Sequence, residues 1–384
     1  MKKISLLIFL SVLILISCKS NKEKEVTVSP PKTIEYQELN IKYAKGFDIK
    51  TTTTGYDLMV KNAWPGSDSQ FVYHLITGDH DNNNTSQKKS NSIQTPVEKI
   101  IVTSTTHLPP LVLLGAENTL VGFPGTDYIS APKVRNLINQ EKVQELGTTQ
   151  QINLENTVLL NPDLVMGYSV TNENSWYKKI EHAGIPVVYN GEWVEEHPLG
   201  KAEWIKVFGV LYGKVKEADS IFNVIEREYN NTLELVKNTT PPVVISGATW
   251  KDQWYLPYGS SWQGRILKDA GANYIYASTI GGGSLSYSIE KVLMDGHDAA
   301  YWIAPAQYTS YTEMLKDQPA YALFKAFKNR QIYTHALTVG TTGGVIYYEE
   351  ASMRPDLVLR DLVKILHPNL QLDHELYFFK PLKD

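Results

Sequence analysis

The sequence predicts an α/β protein of two Rossmann-like lobes with parallel sheets, bridged by a single long α-helix and preceded by an N-terminal β-hairpin extension. Three observations predict it. From about Lys99 onward, short buried-strand patterns alternate with amphipathic helix patterns, the grammar of parallel sheets with crossover helices. One apolar stripe at steps of three and four interrupts that alternation midway, through Ile205, Phe208, Tyr212, Val215, Ala218, Phe222, Ile225, Tyr229, Leu233 and Val236. After Pro241-Pro242 the alternation resumes, and 384 residues exceed what one core usually holds.

In chain order, a leader comes first. Lys2 and Lys3 precede an uncharged, mainly apolar run from Ile4 to Ile16, then a small residue and Cys18, the layout of a secretory signal over residues 1–17. A run of about 13 residues falls short of the roughly 20 that a spanning helix needs. Leu15-Ile16-Ser17-Cys18 resembles the lipobox of bacterial lipoproteins, in which the cysteine is acylated and begins the mature chain. Lipidation is therefore expected at Cys18, giving an exported protein anchored to a membrane and facing the periplasm or the cell exterior. Cys18 is the only cysteine, which excludes a disulfide framework and a cysteine metal cluster. Residues 18–40 read as a flexible spacer, polar, charged and carrying Pro30-Pro31.

The first lobe is expected over residues 41–198. Tyr56, Leu58 and Val60, then Phe71, Tyr73 and Leu75, alternate with polar residues on either side of Trp64-Pro65-Gly66-Ser67, a hairpin pattern. Asp79 to Thr95 reads as an exposed loop. Strands follow at Lys99–Ser104, Leu120–Phe123, Leu164–Gly167 and Pro186–Tyr189, and helices at Leu108–Leu114, Asn153–Leu160 and Ser175–Ala183, two of them stopped by Gly115 and Gly184. The connecting helix is placed at residues 199–238, about 58 Å at 1.5 Å per residue, with Gly209 and Gly213 as its weak points.

The second lobe, residues 239–384, repeats the pattern. Strands are expected at Val243–Ser246, Ala300–Ala304 and Gln331–Thr334, and helices at Ser261–Ala270, Ser288–Met294, Tyr321–Lys328 and Pro355–Leu366. One unit aligns between the halves. Asn153-Leu154-Glu155 precedes a helix with Asp163 eight residues beyond the glutamate, and Ser288-Ile289-Glu290 precedes a helix with Asp298 eight beyond, at an offset of 135 residues.

Signatures of catalysis are absent: no G-x-S-x-G elbow, no phosphate-binding loop, no H-E-x-x-H and no cysteine pair, so no enzymatic activity and no resident cofactor are expected. Net charge is −4, or −6 once Lys2 and Lys3 leave with the leader, and no basic stripe exists to bind nucleic acid. Glu155 and Glu290 each sit two residues after a capping Asn or Ser. Singly, such a carboxylate complements the helix dipole; as a symmetric pair, the two suit docking onto a two-fold partner carrying arginine pockets.

Ligands of parallel α/β sheets bind beyond the carboxyl ends of the strands. That rule assigns Thr106, His107, Tyr168 and Trp193 to a ligand cleft from the first lobe. From the second it assigns Trp250, Lys251, Trp254 and Tyr258, which belong to an aromatic stretch that reads as loop. His107 could ligate a metal, touch a ligand or cap the following helix; His197 and His335 are weaker candidates, and no histidine pair has metal-site spacing.

These residues resemble the solute-binding lipoproteins of ABC importers for metal chelates, meaning ferric siderophores, haem and cobalamin. The resemblance runs from about Ile41 to Pro368. It rests on Lys99-Ile100-Ile101-Val102, on Leu146-Gly147 followed by Asn153-Leu154-Glu155 and Asn161-Pro162-Asp163-Leu164-Val165, on Gly184-Ile185-Pro186-Val187, and on Arg354-Pro355-Asp356. It implies a monomer that holds a chelate between two lobes bridged by a rigid helix and meets arginines of an ABC permease dimer through one glutamate on each lobe. Glu155 matches the first of these positions well, and Glu290 matches the second by helix context. Few cations lie in the expected cleft loops, Lys251 and Arg265 being the nearest, and an iron chelate is favoured over cobalamin or haem. The competing class is a surface adhesin or structural lipoprotein using tyrosine-rich loops as a contact patch.

Overall fold

In the computed structural model, which describes residues 36–78, 91–170 and 174–384, the alternation before Lys99 builds more than a hairpin. Strands β1 (Phe47–Thr51), β2 (Gly55–Lys61) and β3 (Gln70–Thr77) form an antiparallel meander, and β4 (Ser92–Thr95) joins β3 in parallel. Tyr56, Leu58 and Val60 lie opposite Leu75, Tyr73 and Phe71, as the alternation predicts. Part of the expected loop at Asp79–Thr95 is therefore strand, because Ile93 and Thr95 are buried on pairing with β3; residues 79–90 lie outside the described residues. Tyr73 and its neighbours bind the sheet to the first lobe. The Tyr73 hydroxyl accepts from the Tyr189 N–H at 3.1 Å, and Trp64 and Phe71 pack on the Tyr189 ring at centroid distances of 5.7 and 4.6 Å.

The first lobe is a five-stranded parallel sheet in the order β11-β10-β5-β6-β7, with β5 (Ile100–Val102), β6 (Leu120–Phe123), β7 (Gln144–Glu145), β10 (Leu164–Gly167) and β11 (Val187–Tyr189). A small hairpin of β8 (Gly147–Thr148) and β9 (Gln151–Ile152) lies beside it. Every residue of β5, β10 and β11 is buried, which is why these strands read as continuous apolar runs rather than alternating ones. Tyr189 ends the edge strand, so the N-terminal sheet covers an edge that would otherwise offer unpaired backbone groups. The helices are α1 (Leu108–Leu113), α2 (Pro132–Asn139), α3 (Leu154–Leu159) and α4 (Ser175–His182).

The connecting segment corrects one expectation. Instead of one helix over residues 199–238 there are three: α5 (Pro198–Glu203), α6 (Ile205–Leu211) and α7 (Val215–Val236). The chain breaks where Gly213 adopts φ +63°, and the Lys214 N–H closes back on the Gly209 carbonyl at 2.7 Å. Gly209 also lets the two helices touch, since a Cβ there would stand 2.6 Å from the Ala218 Cβ. The bridging helix is α7, roughly 33 Å long, burying Val215, Ala218, Phe222, Ile225, Tyr229, Thr232 and Val236 on one stripe.

Polar groups fix the start of this segment. The Glu203 carboxylate, fully buried, accepts the N–H groups of Lys42, Tyr43 and Ala44 at 2.7–2.9 Å and the Lys206 ammonium at 3.0 Å. Glu195 accepts the N–H groups of Lys45 and Gly46 and the Trp204 indole. Two buried carboxylates thus pin residues 42–46, which replaces solvation lost on burial with charge-assisted bonds.

The second lobe is a sheet in the order β15-β12-β17-β18-β19, with β12 (Val243–Ser246), β15 (Asn273–Tyr274), β17 (Tyr301–Ile303) and β18 (Ile332–Thr334) parallel and β19 (Lys380–Pro381) antiparallel. Beside it stand β13 (Ala248–Trp250), β14 (Gln253–Pro257) and β16 (Ser284–Tyr287), an antiparallel sheet. Its helices are α8 (Trp262–Asp269), α9 (Ile289–Gly296), α10 (Tyr311–Asp317), α11 (Lys325–Lys328), α12 (Ile346–Glu350) and α13 (Pro355–Leu366), the last packed along α7 and α8. In each lobe the first strand lies inside the sheet, and α3 and α9 feed the strands that pair with it, β10 and β17. The two aspartates of the aligned unit differ, however. Asp163 accepts the N–H groups of Glu98 and Lys99 at 2.8 and 2.9 Å, whereas Asp298 is exposed beside His297.

Candidate functional site

The segments that follow the parallel strands of the two sheets meet each other. Ser130 and Ala131, before α2, donate their N–H groups to the Glu349 carboxylate of α12 at 2.6 and 2.9 Å, and the Ser130 hydroxyl donates to the Gly344 carbonyl at 2.9 Å. The approach requires glycine: a Cβ on Gly344 would lie 2.4 Å from the Tyr128 carbonyl oxygen. Glu349 is 1% exposed, and its burial, helped by the charge of Glu350, pushes its carboxyl up to about 7 against the pull of the two N–H donors. Nearby, α12 packs against the turn Thr105–His107 that follows β5.

Of the residues assigned to a cleft from the first lobe, His107 lies in this region, 1% exposed. Burial holds its imidazole down to about 4, hence neutral, with Glu192 opposing weakly, and its Nδ1 is buried without a partner. It stands at the cap position of α1 yet makes no capping bond, so the capping alternative is not the one adopted. Thr106 is half-buried and tied to the Ser104 hydroxyl at 2.8 Å. Trp193, in the turn Glu192–Val194 after β11, has a buried indole N–H with no acceptor. Tyr168 instead lines a groove of about 520 Å³ formed by first-lobe residues, among them Thr103, Asn174 and Trp176.

The second-lobe residues divide. The stretch expected as loop is β-structure: Trp254 points into the core, 0% exposed, stacked on Trp302 at 5.0 Å with its indole bonded to the Ser246 carbonyl at 2.9 Å. Trp254 is therefore a core residue and not a cleft wall. Trp250 is 63% exposed at the hairpin tip, with the Lys251 ammonium 4.3 Å above its ring. Tyr258 is half-buried, packed over Gly281, where a Cβ would meet its ring at 2.7 Å.

Aromatic residues not assigned to the cleft from the sequence also reach the contact between lobes. Trp262, Tyr347 and His335 form a column, Tyr347 stacked with Trp262 at 6.1 Å and with His335 at 4.4 Å. The Lys201 ammonium lies 5.5 Å over Trp262 while paired with Glu192 at 3.3 Å, both side chains buried. Burial holds His335 down to about 4; its Nε2 meets the Tyr348 hydroxyl at 3.2 Å, and its Nδ1 has no partner, nor has the buried Thr338 hydroxyl. Buried polar atoms are nearly always paired. Four that are not, on His107, Trp193, His335 and Thr338, follow β5, β11 and β18 at the strand ends where α/β proteins hold ligands. Trp262 continues the aromatic stretch of Trp250, Trp254 and Tyr258; His335 follows a predicted strand, and Tyr347 carried no local signal. Among the described residues, no group of three or more His, Cys, Asp or Glu converges as a metal site would require.

Glu155 and Glu290 are both exposed and occupy the same helical position. Asn153 and Ser288 cap α3 and α9, accepting the N–H groups of Asn156 and Lys291 at 2.9 and 3.3 Å. Hydrogen bonds from Ser288 and from its own backbone hold the Glu290 carboxyl below its usual range. Neither glutamate enters an ion pair among the described residues. Cys18 lies outside those residues, and no helix among them is long and apolar enough to cross a membrane.

The chain belongs to the periplasmic binding protein family, whose model matches residues 100–336, and the resemblance drawn from the Asn153–Val165 stretch holds at that level. This is a family of substrate-binding proteins, not of enzymes. An uncharacterized lipoprotein of Methanocaldococcus jannaschii is 25% identical over 75% of this chain and 69% of its own. Among solved structures, a possible iron-binding (periplasmic solute-binding) protein from Staphylococcus epidermidis superposes with a TM-score of 0.55, at 20% identity, over 71% of this chain and 100% of that one. The triscatecholate siderophore binding protein of Bacillus subtilis, complexed with ferri-bacillibactin, does so with a TM-score of 0.54, at 16% identity, over 73% and 96%.

Proposed function

We propose that this protein is the extracytoplasmic substrate-binding component of an ABC importer, capturing a ferric siderophore between its lobes and delivering it to the permease. The observation that carries this reading is the meeting of the two sets of strand-end segments, where neutral imidazoles, an indole N–H and the Trp262–Tyr347–His335 column offer stacking surface and unpaired hydrogen-bond groups. Glu155 and Glu290 dock to the permease dimer, and a lipid on Cys18 keeps the protein at the membrane. Haem and cobalamin are the alternative ligands, since stacked rings suit a planar macrocycle as well.

Titration of the mature domain with ferric siderophores, haem and cobalamin, read by tryptophan quenching, should give micromolar or tighter binding to one of them without turnover. Silence with all three would sink the reading. Glu155→Lys with Glu290→Lys should abolish uptake and leave chelate affinity intact, because both side chains are exposed and neither belongs to the buried strand-end groups. An adhesin would show neither property.

A further inference from the structure

The offset of 135 residues that relates Glu155 to Glu290 also relates Leu159 to Met294. Leu159 is 73% exposed and Met294 is 70% exposed. Both are large apolar side chains, and both stand four residues after the glutamate on the same helix, so each lies beside its carboxylate on one helical face. An isolated exposed leucine is ordinary. The same apolar exposure at the same place in each lobe, one turn beyond an equally exposed carboxylate, is not ordinary. Among the described residues, neither side chain belongs to the core or to the apolar layer packed against it, and water is a poor environment for both.

We propose that Leu159 and Met294 are apolar knobs of the permease-docking surface. Each inserts into an apolar socket adjoining the cationic group that receives the neighbouring glutamate. The inference rests on the docking reading above and adds what that reading lacks. A solvent-exposed ion pair contributes little on its own and is screened by salt. An apolar contact beside it excludes water, and hot spots of binding are of this desolvated kind. The occupant is fixed by charge and symmetry: a two-fold partner that presents, in each half, a cation and an apolar hollow one helical turn apart. A lipid surface fits less well, because the glutamates beside the knobs would be repelled by anionic headgroups.

The test uses the full chain and the permease–ATPase complex recovered from the host membrane by binding to it, embedded in nanodiscs. Three double variants are compared with the unaltered chain for affinity to that complex. Leu159→Ser with Met294→Ser should weaken binding at least tenfold. Leu159→Met with Met294→Leu should stay within about twofold, and Glu155→Gln with Glu290→Gln should also weaken it. All three should keep the unaltered melting temperature, since the substituted side chains are exposed. If the glutamine pair weakens binding and the serine pair does not, the knobs are refuted and the docking reading survives. If neither pair weakens binding, or no permease complex is recovered, the docking reading itself fails and takes the knobs with it.

Discussion

Replacing Glu349 by glutamine should flatten the acid side of the stability profile. The carboxyl titrates at about 7 in the folded protein against an ordinary 4.5, so between those values the folded state holds a proton that the unfolded chain has released. Stability from this group is therefore fully present below about 4.5 and is lost as pH rises through 7. At 1.36 kcal/mol per pH unit the whole effect is about 3 kcal/mol, of which 2 to 3 kcal/mol falls between pH 5 and pH 8. The cause is specific: burial at the lobe contact and the nearby Glu350 charge outweigh the N–H bonds from Ser130 and Ala131. Glu349→Gln is uncharged throughout, so the difference in unfolding free energy between wild type and variant, from urea denaturation at pH 5, 6, 7 and 8, should drift against wild type by that amount. Parallel profiles, or a wild type that gains on the variant as pH rises, would refute the reasoning.

Other changes should act through packing. Asp361 is fully buried and accepts the N–H groups of Tyr377, Phe378 and Phe379 and meets His374 Nε2 at 2.6 Å. Asp361→Ala should release the C-terminal segment from α13 and cost about 3–5 kcal/mol, seen as a lowered melting temperature and rapid proteolysis after Leu370. Trp254→Ala should cost about 3–5 kcal/mol by opening a cavity against Trp302, whereas Trp250→Ala at the exposed hairpin tip should cost under about 0.5 kcal/mol. Equal effects of those two substitutions in a denaturation experiment would contradict the placement of Trp254 in the core.

The parts of the fold that were legible in the sequence are those whose signal is local. Strands β6 and β10 and helix α13 fall where the residues put them, because Leu164-Val165-Met166 is apolar on both faces and Pro355 marks a first turn. The caps Asn153 and Ser288 were equally plain. The broken bridge was half-legible, since Gly209 and Gly213 were visible but the apolar stripe runs on unbroken across them. Trp254 was misplaced because Pro257 and Gly259 suggested loop, although Trp254 and Leu256 inward with Tyr255 outward is the alternation of a strand. The contact of Ser130 with Glu349 had no signal at all. It joins residues 219 apart in sequence, and nothing in either neighbourhood specifies the other.

The grip of Glu195 and Glu203 on residues 42–46 has a mechanical side. Tension arriving along the chain ahead of Tyr36 meets five backbone N–H groups held by two carboxylates, one just before α5 and one at its last residue, and that helix packs on the turn Glu192–Val194 of one lobe and on α8 of the other. The seam between the lobes thus shares the load with the contacts of Tyr36 and Gln37 on Tyr56 of β2. Under the proposed lipid anchor at Cys18, a tug on the leading end would reach these contacts before it reached the strand ends where the lobes meet.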